Sequence, residues 1–261
     1  MRLLSPSDPV VIAHRGGGKL RPENTIAAFD HAVALGVDGC ECDVRLSRDG
    51  EVVVIHDPTL DRTTEAAGPV SARTAAELAA TDAGARFDAE HGSPFRGRGF
   101  GVPRLADLLA RYPTVDWVVE IKGDRPEVAE AAIEVIRRAG AASRVIVGGF
   151  DAGVMQAVRR LAPELPTSAA QAEARSAIRR ARFRLRPRPT GFRLFQVPIR
   201  FDGRDAFNRA FVRLAHRAGF PVHAWIVDDA EEMRRLLDWG VTGLISDRPD
   251  IALEVLGRRT L

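Results

Sequence analysis

Residues 38–44 read DGCECDV, and their alternation decides the fold. Side chains of a strand point to opposite faces with period two, so Glu41 and Asp43 share one face. Cys40, Cys42 and Val44 take the other, as expected of a strand with helices behind it and a polar site in front. Cys40 and Cys42 are the only cysteines of the chain. Their spacing sets the Cα atoms about 6.6 Å apart without bringing the sulfurs together, so both are expected as buried free thiols packed against helices.

Working outward, short β-rich runs alternate with amphipathic helical patterns, which predicts a parallel sheet covered by helices. Strands are expected at Val10–His14, Asp38–Val44, Trp117–Lys122, Arg144–Gly148, Pro166–Ala169, Leu194–Pro198, Val222–Val227 and Gly243–Ser246. Helices are expected near Asn24–Leu35, Arg104–Tyr112, Pro126–Ala139, Ala152–Leu161, Gln171–Arg182, Arg204–Ala218 and Ala230–Trp239. Several stop at a glycine, as at Gly36, Gly140, Gly219 and Gly240. Eight strands in 261 residues suit an α/β fold of the (β/α)8 TIM barrel type, whose usual length is about 250.

One interval breaks the repeat. LSRDGEVVVIHD (residues 46–57) predicts a hairpin turning at Asp49-Gly50, and a polar segment follows it. Residues 57–103 are therefore expected as a small insertion after the second strand, within one barrel domain spanning 1–261.

Composition narrows the function classes. Hydrophobic residues make up 45% and charged residues 28%, an ordinary globular balance. No apolar run approaches the ~18 residues that cross a bilayer, so no integral membrane segment is expected. The start of the chain lacks the apolar stretch of a signal peptide, which points to a cytoplasmic protein. Of the 38 basic residues only Lys19 and Lys122 are lysines, which marks both as positions where a compact point charge is wanted. Residues 175–188 hold seven arginines with one aromatic, Phe183. Without interleaved stacking residues this is a solvated helix face and loop, and no nucleic-acid partner is expected.

In a barrel of this kind the catalytic groups stand at the C-terminal ends of strands. His14 closes the run VVIA, His56 closes VVVI, and Glu120 and Lys122 share one face of WVVEIK. Three carboxylates, Glu41, Asp43 and Glu120, would repel one another in a common mouth unless a cation neutralised them. A hard, oxygen-ligated divalent ion, Mg2+ or Ca2+, answers that need, and the lack of Cys or His at tetrahedral spacing speaks against zinc. Two histidines supply a general acid and a general base near neutral pH. Arg15, the backbone of Gly16, Gly17 and Gly18, and Lys122 can hold phosphate oxygens. A strand-end histidine alone is usually structural; five such groups together point to phosphodiester hydrolysis.

IAHRGG (12–17), PENTIAAFDHAVALGVDGCECDV (22–44), DGEVVVIHDPTLDRTT (49–64), VPRLADLL (102–109), VVEIK (118–122) and HAWIVDDAEEMRRLLDWGVTGLISDRPD (223–250) span nearly the whole chain. Together they resemble the glycerophosphodiester phosphodiesterases. The resemblance implies a (β/α)8 barrel with an insertion after the second strand. It implies His14 and His56 as the acid–base pair and Glu41, Asp43 and Glu120 as metal ligands. Arg15 and Lys122 look like phosphate contacts, and Trp225 like an apolar wall for the glycerol or the leaving group. The implied substrate is a small glycerophosphodiester, such as glycerophosphocholine or glycerophosphoethanolamine, cleaved to glycerol 3-phosphate and an alcohol. The nucleophile is either water or the neighbouring glycerol hydroxyl. Three departures stand out: Gly149 occupies a place where the family tends to have Ser, Asp228 one where it usually has Asn, and the fifth and sixth strand regions, through RPRPTGFRLFQVPIRF (186–201), match weakly.

Two other functions are weighed. A lysophospholipase D would want an apolar rim, which residues 57–103 scarcely offer. A non-catalytic barrel that only binds anionic headgroups would have lost a histidine or a metal carboxylate, and none is lost. The sequence leaves the oligomeric state open.

Overall fold

The structure is a computed structural model that describes residues 1–188 and 190–258. Its first half runs β1 (Val10–Ala13), α1 (Ile26–Leu35), β2 (Gly39–Leu46), β3 (Val52–Val54), α2 (Ala75–Ala79), α3 (Leu105–Arg111), β4 (Asp116–Ile121) and α4 (Pro126–Arg138). The middle is β5 (Val145–Gly149), α5 (Ala152–Leu161), α6 (Gln171–Arg182), β6 (Phe195–Pro198), β7 (Arg200–Phe201) and β8 (Arg204–Asp205). The chain then continues through α7 (Arg209–Arg217), β9 (Val222–Trp225), α8 (Ala230–Trp239), β10 (Gly243–Ser246) and α9 (Pro249–Val255).

Seven parallel strands lie in the order β5-β4-β2-β1-β10-β9-β6. The expected strand at Pro166–Ala169 does not form a regular element. Thr167 makes a single bridge to Val147 and Ser168 one to Leu194, so the segment still links β5 to β6 and completes the circuit. Proline at its head removes one ladder donor, and the Pro166 carbonyl serves only as an acceptor, for the Val147 N–H at 2.9 Å. The fold is the α/β barrel that the alternating pattern predicts.

Local chemistry explains where the helices begin and end. Thr25 caps α1 by accepting from the Ala28 N–H, and Gly36 closes it at φ +82°, where a Cβ would be strained. Asp151, Asn208 and Asp229 cap α5, α7 and α8 in the same way. Two expected boundaries shift for a physical reason. Asn24 stays outside α1 at φ +58° because its side chain turns inward to Asp43. Arg204 and Asp205 pair with β7 instead of starting a helix, so α7 begins only after the Asn208 cap.

The expected hairpin is present: Val44–Leu46 of β2 pair antiparallel with Val52–Val54, and Gly50 turns at φ +80°. Residues from Ile55 to Val102 then build a small apolar cluster around Leu60, Val70 and Leu78 beside β3. Behind β2 and β4 the core is aromatic, with Trp117 packed edge-on against Phe29 at 5.1 Å. Cys40 and Cys42 are buried free thiols in that same layer.

Candidate active site

Sheet register places the carboxylates. Asp43 of β2 lies beside Glu120 of β4, and Glu41 is two residues earlier on the same face. One oxygen of each lies within 4.8 Å of the others. Glu41 and Asp43 are buried and Glu120 is half-buried. Burial, and then the charge of Asp43, push the Glu41 carboxyl above the usual carboxylate range. Burial also raises Glu120. Burial would raise Asp43 too, but Lys122 and Arg15 outweigh it and hold that carboxyl low.

Two cations bind the cluster together. Lys122 Nζ is 2.9 Å from Asp43 Oδ1 and 2.5 Å from Glu120 Oε1. Arg15 Nε is 3.1 Å from Asp43 Oδ2, and the Arg15 N–H donates to Glu41 Oε2 at 3.0 Å. Asn24 Nδ2 donates to Asp43 Oδ2 at 2.8 Å. Even so, Glu41 Oε1 is buried without any partner, and Asp43 Oδ1 has the ammonium nearby without hydrogen-bond geometry. Carboxylate oxygens left open in a buried cluster, with no sulfur or imidazole among them, are the donor set of a hard divalent cation. The residues fit such an ion.

The histidines flank this cluster. His14 Nδ1 is 2.7 Å from Asp247 Oδ1, and its Nε2 is 3.9 Å from Glu41 Oε2. Burial would lower His14, but the Asp247 hydrogen bond and the Glu41 charge outweigh it and raise its pKa. His56 Nδ1 is 2.6 Å from Asp57 Oδ1. There burial prevails over the neighbouring carboxylates and lowers the pKa. In both rings a carboxylate engages Nδ1, which frees Nε2 for proton transfer.

Each supporting carboxylate is itself held. Asp228 Oδ1 accepts from the Asp247 N–H at 2.8 Å and from Ser246 Oγ at 2.9 Å, while Lys19 Nζ lies 2.9 Å from Asp228 Oδ2. The Asp at 228 therefore adds no free charge to the rim; it anchors the partner of His14. On the other side, Arg62 Nε donates to Asp57 at 2.6 Å and Arg62 NH1 to Glu23 at 2.7 Å. Glu23 accepts in turn from Arg15 at 2.8 Å. Asp247, Asp57, Asn24, Glu23 and Arg62 are site residues that sequence reasoning passes over. Asp247 was within reach of the rule that found His14, since it follows the apolar strand GLIS.

The glycines after His14 have a different use from the one expected. The N–H groups of Gly17 and Gly18 donate to the His14 carbonyl at 2.8 and 3.2 Å, so they are not free for phosphate. Gly16 lets the turn press onto α1, where a Cβ would lie 2.7 Å from that of Ala28.

The histidines, Arg15, Lys122, Glu41 and Glu120 open into one cavity of about 700 Å3, with Asp43 buried beneath them. His14, Arg15, Glu41, His56, Glu120 and Lys122 form its floor, and Trp225 stands at its side against Phe150 with ring centres 5.8 Å apart. Gln196 also faces it, with a buried Nε2 that has no partner. None of residues 57–103 lines it, so the insertion is no rim. The outer wall is α6, whose arginines on this face are solvent-exposed, together with β7.

A parallel α/β barrel with carboxylates and imidazoles meeting at the C-terminal mouth is the architecture of a barrel enzyme. Residues 14–251 match the model of the glycerophosphoryl diester phosphodiesterase family. A glycerophosphodiester phosphodiesterase of Caldanaerobacter subterraneus subsp. tengcongensis is 34% identical over 257 residues, covering 95% of this chain and 97% of that protein. Among solved structures, a glycerophosphodiester phosphodiesterase from Agrobacterium tumefaciens has a TM-score of 0.74 at 29% identity, covering 94% of this chain and 99% of that one. An Oleispira antarctica phosphodiesterase in complex with the product sn-glycerol-3-phosphate has a TM-score of 0.77 at 25% identity, covering 95% and 97%. The chain belongs to the glycerophosphoryl diester phosphodiesterase family.

Proposed function

We propose that the chain hydrolyses glycerophosphodiesters to glycerol 3-phosphate and an alcohol, using Mg2+ or Ca2+ held by Glu41, Asp43 and Glu120. The observation that carries this is the meeting of two carboxylate-supported histidines with a three-carboxylate cluster, of which Glu41 and Glu120 face the same cavity. An oxygen nucleophile, water or the neighbouring glycerol hydroxyl, adds to phosphorus while the bond to the leaving oxygen breaks; the hydroxyl route gives a cyclic phosphate, which a water molecule then opens to glycerol 3-phosphate. Nε2 of one histidine, His14 or His56, takes the nucleophile's proton, and Nε2 of the other gives a proton to the departing alcohol. The bound ion would neutralise charge on the phosphoryl oxygens. Lys122 and Arg15 add positive charge beside the same oxygens, and Trp225 with Phe150 packs against the carbon skeleton.

Release of glycerol 3-phosphate from purified protein tests this. Turnover is expected with one or both ions and is lost on chelation. Full activity after exhaustive chelation would remove the metal, and no release from any glycerophosphodiester with either ion would remove the activity. Turnover of lysophosphatidylcholine far faster than glycerophosphocholine would replace it by a lysophospholipase D.

A further inference from the structure

The arginine-rich stretch belongs to the cavity. α6 turns Arg175, Ile178, Arg179 and Arg182 toward it, the spacing of a single helical face. Arg200 joins them from β7. Four guanidinium side chains thus line the wall of the space whose floor holds the histidines. The acidic groups lining that space are Glu41 and Glu120, both on the floor. Among the described residues, these four arginines form no salt bridge, whereas nearby Arg159 pairs with Glu173 and Arg235 with Asp205. Arg175 rests on an aromatic instead, 4.9 Å above the ring of Phe201.

Gathering unpaired cations around one cavity costs repulsion that an anion would relieve. The planar guanidinium fork suits a phosphate in particular. The phosphoryl group that is cleaved already has Arg15 and Lys122 at the floor. The wall therefore faces an ester arm of the diester, and because the glycerol arm is uncharged only the leaving alcohol can bring an anion to it. An alcohol with a quaternary ammonium would meet like charge there.

We infer, resting on the phosphodiesterase reading above, that the preferred substrate is a glycerophosphodiester whose leaving alcohol carries its own negative charge, a phosphomonoester before a carboxylate.

Four diesters separate the possibilities: glycerophosphocholine, glycerophosphoglycerol, glycerophosphoserine and glycerophosphoglycerol phosphate. kcat/KM is expected to rise from the choline to the phosphorylated diester by about tenfold or more, with the serine diester below the latter. The advantage is expected to shrink as salt is added. Arg179→Gln combined with Arg182→Gln is expected to cut it severalfold. Calorimetric binding of the four diesters to chelated protein, where none is cleaved, is expected to follow the same order. Turnover that is equal for all four, or fastest with choline, overturns the inference and leaves the activity standing. If none is hydrolysed the activity falls, and the binding order alone decides: tighter binding of the phosphorylated diester upholds a wall that selects anions, and equal affinity overturns it.

Discussion

The floor and the wall of the cavity are built on opposite principles. At the floor, Glu120, Arg15, Lys122, His14 and His56, with Asp43 beneath them, all lie within 4 Å of an opposite charge or a hydrogen-bonding carboxylate. Along the wall, the arginines of α6 and β7 form no salt bridge among the described residues, and Asp205, opposite Arg200 in the β7–β8 ladder, is paired with Arg235. Apart from Glu41 Oε1, which is left open, the floor is paired before substrate arrives, which is the preorganisation that charge development in a transition state requires. The wall is left unbalanced, so its charge is available to a ligand. One half of the space does chemistry, and the other is placed to choose.

The comparison breaks most visibly at the floor. Glu41→Gln removes a proposed ion ligand but also relieves a buried carboxylate that burial and Asp43 already disfavour. Turnover is expected to fall about 10³-fold and calorimetric Mg2+ or Ca2+ affinity with it, while the melting temperature does not drop. A large loss of thermal stability without loss of ion binding would show that Glu41 is structural.

His14→Ala and His56→Ala come next. Whichever ring donates the proton is expected to cost about 10²–10⁴-fold with a glycerophospho-alcohol and far less with a nitrophenyl ester, whose leaving group departs unaided. Loss of the base harms both substrates. Near-normal turnover of the natural diester by both variants would end the acid–base assignment.

Smaller effects are expected where side chains act through the histidines. Asp247→Asn keeps the shape but weakens the acceptor for His14 Nδ1, and about 10–100-fold in kcat is expected, with a shifted pH profile. Arg62→Leu frees Asp57 beside His56 and is expected to cost less, because the 2.6 Å contact of Asp57 with His56 remains. A larger effect from Arg62 than from Asp247 would reverse this ranking. Smallest of all, Phe183→Ser at an exposed position outside the cavity is expected to change stability by no more than about 0.5 kcal/mol in chemical denaturation.

Much of the floor was legible because its signals are local. Period two alone puts Glu41 with Asp43 on one face of β2, and the end of an apolar run alone marks His14 and His56. The same locality explains Cys40 and Cys42 on the back of β2 and the hairpin at Gly50. It also explains why Pro166–Ala169 could be named as a sheet segment without its being a full strand, since propensity does not report how many ladder bonds its neighbours leave open.

What the chain order could not contain is which loops meet. The separation of 233 positions between His14 and Asp247 vanishes only because β10 lies beside β1 in the closed sheet. Lys122 shares its face with Glu120 by periodicity, but its contact with Asp43 depends on the register of β4 against β2. The arginines of α6 have the composition of any solvated helix, and only the turn of that helix over the mouth makes them a wall. Alternation within a strand is set by the backbone of a few residues, so sequence determines which face a side chain takes. Ring closure and register are properties of the whole sheet, and they alone decided what each of those faces would meet.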